Sequence, residues 1–276
     1  MKPRAAIPDA LAVLPLVQGM DGESSPFTLA RNVPALVARS LADESQNTRV
    51  ALISPIDYAR HAGSYRIVPG IAVSTRTAAG VARVRVRPDA RMIQTLAVDP
   101  RVTTDIVLAS VLVAEKYPAA TEAARKLPTI MPVPDTATVD FATCDAVLDY
   151  HPWLSTTPEE AGFSFDLYEE WADLTGLPWV SAFWVMREEE GEEAWSQALV
   201  SARDRGVSLV ERIGQDAGRA RGIPAVAAVS HLQSFSYDLG QEQQEALQEF
   251  FQYAYYLGII TDVPDLTFFD PLERVE

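Results

Sequence analysis

The chain has 276 residues, 48% hydrophobic and 22% charged, and 38 acidic against 23 basic side chains leave a formal charge of −15. That length suits two modest lobes better than one compact core, and the ordinary composition excludes a disordered or fibrous chain. The acid excess argues against nucleic acid and anionic membranes as partners, because both call for a basic face; an anionic ligand stays open, since a cleft can be locally basic on an acidic protein.

A single cysteine, Cys144, leaves no intrachain disulfide and no Cys-rich zinc site. His61, His151 and His231 lie far apart without metal-ligand spacing, so no metal is expected and each reads as a surface or capping residue. The chain has no uninterrupted run of 18 apolar residues, and membrane spans are not expected. The apolar N-terminal stretch over 6–18 is broken by Pro8, Asp9, Pro15 and Gln18, reads as part of the mature fold, and makes the cytoplasm the expected compartment.

In chain order, 27–31 reads as a short strand and 33–42 as a helix with Asn32 as cap and Pro34 in its first turn. Arg49 to Ser54 is an apolar strand buried on both faces, ending at Ser54-Pro55. Such an end places a hydroxyl and free N–H groups at the carboxyl edge of a sheet, where open α/β sheets bind ligands. Ile67 to Ser74 is a strand with a Pro69-Gly70 kink, and Val81 to Val86 alternates so that Arg83 and Arg85 share a face. Thr95 to Asp99 is a short strand, followed by a helix over about 104–116, and the first crossing between lobes is expected near Val98-Asp99. A proline-rich connector spans 117–140, Ala146 to Leu148 is a strand leading to Asp149, and 165–171 is a short helix or turn. Thr175 to Arg187 is a turn and a long strand suited to returning between lobes; a solvated acidic run, 188–193, begins the next helix. The last third is helical over 192–206, 207–219 and 241–257, with Gly258 as a stop. Strands alternating with helices predict an α/β protein with largely parallel sheets.

Phosphate-cradling, dinucleotide, serine-hydrolase and zinc-protease signatures (G-x-x-x-x-G-K-[ST], strand-linked G-x-G-x-x-G, G-x-S-x-G, H-E-x-x-H) are absent from the sequence. What remains is a set of hydroxyls at strand ends and helix starts: Ser54, Ser74, Thr75, Thr103 and Thr104. Capping is the commoner use of each; several converging with Arg76 or Arg83 would form a carboxylate site.

Phe165-Asp166-Leu167-Tyr168-Glu169-Glu170-Trp171, then Thr175-Gly176-Leu177-Pro178-Trp179-Val180 and Phe183-Trp184, resemble the chorismate dehydratase family of the futalosine route to menaquinone. Ser54-Pro55-Ile56-Asp57-Tyr58, Pro69 to Ser74, Leu96 to Thr104, Tyr237 to Gly240 and Leu257 to Ile260 are similar in order along the chain. The resemblance implies a two-lobed, periplasmic-binding-protein-like (type II) α/β fold with a ligand cleft between the lobes. Lobe one would comprise 1–97 plus 185–276, and lobe two 98–184. It further implies a carbon–oxygen lyase that removes water from chorismate, giving an enolpyruvyl-oxybenzoate, with no metal or organic cofactor. The expected partner is a small carboxylate, held by Ser54, Ser74, Thr75, Arg83, Thr103 and Thr104; the aromatic C-terminal helix would allow a homodimer. Asp149 is the candidate proton-moving group, with a structural role as its alternative. The sequence departs from the family at Ala12, where Asn is usual, at Arg83 within Val81 to Val84, and at Asp105, where Thr-Ser becomes Thr104-Asp105. The family's Gly-Asp is not recognisable around Leu148 to Tyr150. A diverged binder of a small carboxylic acid on the same fold is therefore the alternative function.

Overall fold

The computed structural model describes residues 2–117, 126–154, 163–187 and 193–270. Among them, one sheet combines β1 (Arg4–Pro8), β2 (Thr28–Asn32), β3 (Thr48–Ile53), β4 (Tyr65–Thr75) and β10 (Trp179–Arg187), in the order β2-β1-β3-β10-β4. A second combines β5 (Ala82–Val86), β6 (Thr95–Val98), β7 (Thr129–Pro132), β8 (Ala146–Tyr150) and β9 (Phe163–Asp166), in the order β7-β6-β8-β5-β9. The central strands β1 and β3 pair in parallel and β10 returns antiparallel between β3 and β4. In the second sheet β6 is parallel to β7 and β8, while β5 lies antiparallel between β8 and β9.

The helices are α1 (Pro34–Ala42), α2 (Pro55–Ala59), α3 (Thr103–Lys116), α4 (Leu167–Thr175), α5 (Glu193–Ser208), α6 (Val210–Arg221), α7 (Ala225–Gln233) and α8 (Gln241–Tyr256). A short 3-10 helix, Leu11–Val17, follows β1. Proline at the first position starts both α1 and α2, as its fixed φ favours. The cap of α1 is Val33 rather than Asn32, whose side-chain oxygen instead accepts the Val33 N–H at 3.0 Å. Asp166 caps α4 by accepting the N–H groups of Tyr168 and Glu169, and Gly176, in the left-handed region at φ 72°, ends it. α7 was not foreseen from the sequence pattern.

The lobe boundaries differ from the expected ones. The chain leaves the first sheet after Thr75 and enters the second at Ala82; it returns between Asp166 and Trp179. Residues 82–98 therefore belong with the second sheet, and the first crossing is not near Val98-Asp99. Alternation along Ala82 to Val86 reads the same in either sheet, and only its pairing with β8 and β9 decides. Both crossings are tied together by Arg76, which donates to the Gly176 carbonyl at 2.6 Å and pairs with Glu242 of α8.

One continuous apolar core runs through both lobes. At the return crossing, fully buried Trp171 stands edge-on to Trp179 at 5.7 Å and to Phe250 of α8 at 6.1 Å. Its indole N–H donates to the Pro178 carbonyl, so the large ring is buried without an unmet donor. On the other side, α5 lies against the 3-10 helix so closely that a Cβ on Gly206 would stand 1.7 Å from the Pro15 carbonyl oxygen. Glycine alone fits there, and the contact fixes the segment that carries Ala12 and Val13.

Candidate functional site

At the carboxyl ends of β1 and β3, between the sheets, lies a narrow cleft with a cavity of about 60 Å³, so the lobes stand close together here and would have to part to admit a ring-bearing ligand. Pro8, Ala12, Val13 and Leu52 give its first-lobe side an apolar surface, and Val81, Tyr150 and Tyr168 line the side toward the second lobe. No Lys, Arg or His is among the described residues lining it.

Three of the expected hydroxyls meet here. Ser54 Oγ and Thr103 Oγ1 donate to Asp57 Oδ2 at 2.6 and 2.7 Å, and Thr104 Oγ1 donates to Ser54 Oγ at 2.6 Å. Thr104 Oγ1 in turn accepts the Ile56 N–H at 3.0 Å. The cluster arises because β3 and the start of α3 both end at this edge, so a Ser-Pro helix start faces a Thr-Thr helix start. Asp57, buried in the first turn of α2, is the acceptor that organises it. A buried carboxylate accepting hydroxyl protons is well satisfied.

The next residue along α3 opens a second polar group. Asp105 is buried, lines the cleft and is hydrogen-bonded to the Tyr168 side chain. Burial pushes its carboxyl up to about 7, with the neighbouring Asp166 adding to the rise and the Tyr168 bond opposing it. Burial likewise raises the phenols of Tyr150 and Tyr168, and the negative charge of Asp105 adds to both. Asp166 is raised by burial against the N–H groups of Gly80, Tyr168 and Glu169, which favour its charge. Asp105, Tyr150 and Tyr168 were missed as site residues: an acid in a helix's first turn reads as a dipole partner, and isolated tyrosines read as core.

The other expected residues lie elsewhere. Thr75 donates to the Ser234 carbonyl at 2.8 Å, and Ser74 is buried in the sheet beside Ser236 with its hydroxyl unpartnered. Neither lines the cleft. Arg83 lies in β5 opposite Asp149 and Asp166, half-buried, and is likewise outside the lining. Asp149 forms an ion pair with Arg85, with Arg85 Nη2 3.2 Å from its Oδ1, and does not face the cleft. Its geometry is that of a structural pair bracing the second sheet.

Contacts across the mouth hold the two sides together. The Leu11 N–H donates to the Pro152 carbonyl at 2.8 Å, and the Arg221 guanidinium of α6 lies 3.9 Å from the Trp153 ring centroid. Trp153 and Leu154, which follow β8, pack with Leu11 and Ile213 of the first-lobe side.

A sequence model of the menaquinone biosynthesis family matches residues 3–256. The chain belongs to that family. Among the curated proteins, no match was found. Protein AF1704 of Archaeoglobus fulgidus superposes with a TM-score of 0.69 at 17% identity, covering 93% of this chain and 98% of its own. The periplasmic aliphatic sulphonate binding protein SsuA of Escherichia coli gives 0.58 at 13%, covering 99% and 94%. The CA3427 gene product of Candida albicans, described as having the generic periplasmic binding protein fold, gives 0.63 at 9%, covering 96% and 93%. At such identities the likeness is one of fold, and the family member described here has the two-lobed, periplasmic-binding-protein-like α/β architecture.

Proposed function

We propose that this member of the menaquinone biosynthesis family is a chorismate dehydratase-like lyase, acting in the cytoplasm on chorismate held between its lobes. The observation that carries the reading is the cleft itself, bridged by the hydroxyls of Ser54, Thr103 and Thr104, which join the first lobe's sheet edge to α3. In the elimination a proton leaves a ring carbon, hydroxide departs, and aromatisation drives the step. The protein's part is to orient the ring, exclude water and serve the proton. The groups that touch the cleft and can take part in proton movement are Asp105, Tyr150 and Tyr168. Asp149, committed to Arg85, is set aside for that role.

A second reading, a diverged binder of a small carboxylic acid without turnover, is favoured by the lack of a basic side chain among the described lining residues and by Ala12 in the cleft wall. Incubating purified protein with chorismate and following products by chromatography and mass separates the two. Loss of one water over many turnovers supports the lyase; a raised melting temperature without product supports the binder. Neither effect overturns both. Exposed Tyr255 and Tyr256 on α8 support a homodimer, which light scattering checks.

A further inference from the structure

The side-chain donors of the cleft can be counted proton by proton. Ser54, Thr103 and Thr104 direct their hydroxyl protons to Asp57 or to one another, and Ser181 donates to the Val73 carbonyl at 3.1 Å. These groups turn lone pairs, not protons, toward a ligand. The Tyr168 hydroxyl is bonded to Asp105, so with no Lys, Arg or His in the described lining the side chains left to meet a ligand carboxylate are Asp105 and Tyr150, beside any free backbone N–H groups at the helix starts. An ionised Asp105 would repel that carboxylate in a poorly hydrated site; a neutral one offers it a short, charge-assisted O–H···O⁻ bond.

We propose that the cleft takes up its carboxylate ligand together with a proton, and that Asp105 is the specificity-determining residue that meets the ligand as a neutral acid. The proposal rests on the carboxylate-ligand reading above. Its balance is simple: one proton from solvent joins two carboxylates, one of the ligand and one of Asp105, so that the pair carries a single negative charge.

Burial and the neighbouring Asp166 favour the neutral form of Asp105, against the Tyr168 hydroxyl and the residue's own backbone N–H, which favour its charge. α4 contributes Tyr168, with Asp166 at its cap, and farther along carries Glu170, which is paired with Lys116 of α3 itself. α2 contributes Asp57, which pairs with Arg60 at 3.9 Å. β8 contributes the Tyr150 phenol. α8 buries an apolar face of Leu247, Phe250 and Phe251. Arg83 acts on Asp166 and is not among the residues lining the cleft. The rise of the Asp105 carboxyl to about 7 agrees with this arrangement and sets the range in which the effect is read. Below it the site is ready for an anion; above it, binding requires a proton to be taken from solvent.

The test is calorimetric titration of the intact protein with chorismate at pH 6.5 and 8.5, each in two buffers of different ionisation enthalpy. The expected result is uptake of close to one proton at pH 8.5, little at pH 6.5, and an affinity lower by about tenfold or more at the higher pH. Asp105→Asn should bind without proton uptake and with the same affinity at both values. Wild-type binding that is independent of pH and of buffer overturns the proposal, whatever the variant does. Failure of chorismate to bind counts against the chorismate reading and not against this one. In that case the Asp105 carboxyl is titrated by carbon-13 NMR with and without benzoate as a plain carboxylate probe. A midpoint raised by benzoate supports the proposal, and an unmoved midpoint overturns it.

Discussion

Thr103 and Thr104 belong to one polar network and Asp105 to another, although the three are consecutive in α3. Successive helical residues stand about 100° apart around the axis. That rotation turns the threonines toward α2 and its Asp57, and the aspartate toward Tyr168 of α4. The first network is a closed circuit in which a buried carboxylate absorbs the hydroxyl protons and fastens the first lobe's sheet edge to α3. The second is an open one, a buried acid and two phenols exposed to the cleft with no cation to fix their charge. The difference teaches that polarity at a cleft wall does not by itself identify the ligand-facing groups. A donor already spent inside the wall holds the wall together, and a proton not yet committed is what a ligand can use.

The comparison breaks most visibly in the pH dependence of stability. Asp105 sits at about 7 in the folded protein, against an ordinary 3.8. Its contribution to stability is thus complete below about 4 and is lost as pH rises through 7. Three units at 1.36 kcal/mol each set an upper scale of about 4 kcal/mol. Relative to Asp105→Asn, the wild type should lose stability by up to that amount between pH 4 and 8, read by urea denaturation. A constant difference between the two proteins across this range would mean that Asp105 is ionised throughout.

Asp57→Ala attacks the closed network. It removes the acceptor of one buried and one half-buried hydroxyl, and a loss of about 2 to 3 kcal/mol at pH 7 is expected. Equal stability of variant and wild type would show that the hydroxyls find other partners and that the circuit is not closed. A smaller effect is expected at the mouth. Arg221→Ala removes the guanidinium from the Trp153 ring, at a cost of about 1 kcal/mol or less. Its clearer signature is faster ligand release, measured by stopped flow; an unchanged rate would mean that this contact does not gate the cleft.

Much of the fold was legible from the sequence. The apolar run before Ser54, the long strand after Leu177-Pro178 and the helix ending at Gly258 each carry their own boundary signals, and they stand within a residue or two of expectation. The lobe boundary was not legible, because the assignment of 82–98 depends on pairing with strands far along the chain. The hydroxyls Ser54, Thr103 and Thr104 could be named because strand ends and helix starts meet at one sheet edge. Ser74, Thr75, Arg83 and Asp149 shared the residue chemistry, and their positions in the sheets place them outside the cleft lining. Asp105 was visible only as a departure from Thr-Ser, and nothing in its local sequence tells that α4 and β8 bury it. His231 is a similar case: expected at the surface, it is buried with Nδ1 3.1 Å from the Ala79 carbonyl oxygen, and burial pulls its imidazole down to about 4.

The most direct measurement compares chorismate affinity of Asp105→Asn, Ser54→Ala and the wild type at pH 8.5. If Asp105 faces the ligand and Ser54 serves the wall, the Asn variant binds more tightly than wild type, by up to about thirtyfold for 1.5 units above 7. Ser54→Ala then stays within about threefold of wild type, the ordinary cost of a lost hydrogen bond inside the wall. The opposite pattern, binding abolished by Ser54→Ala and unchanged by Asp105→Asn, would contradict the account and return the ligand's carboxylate to the hydroxyl cluster.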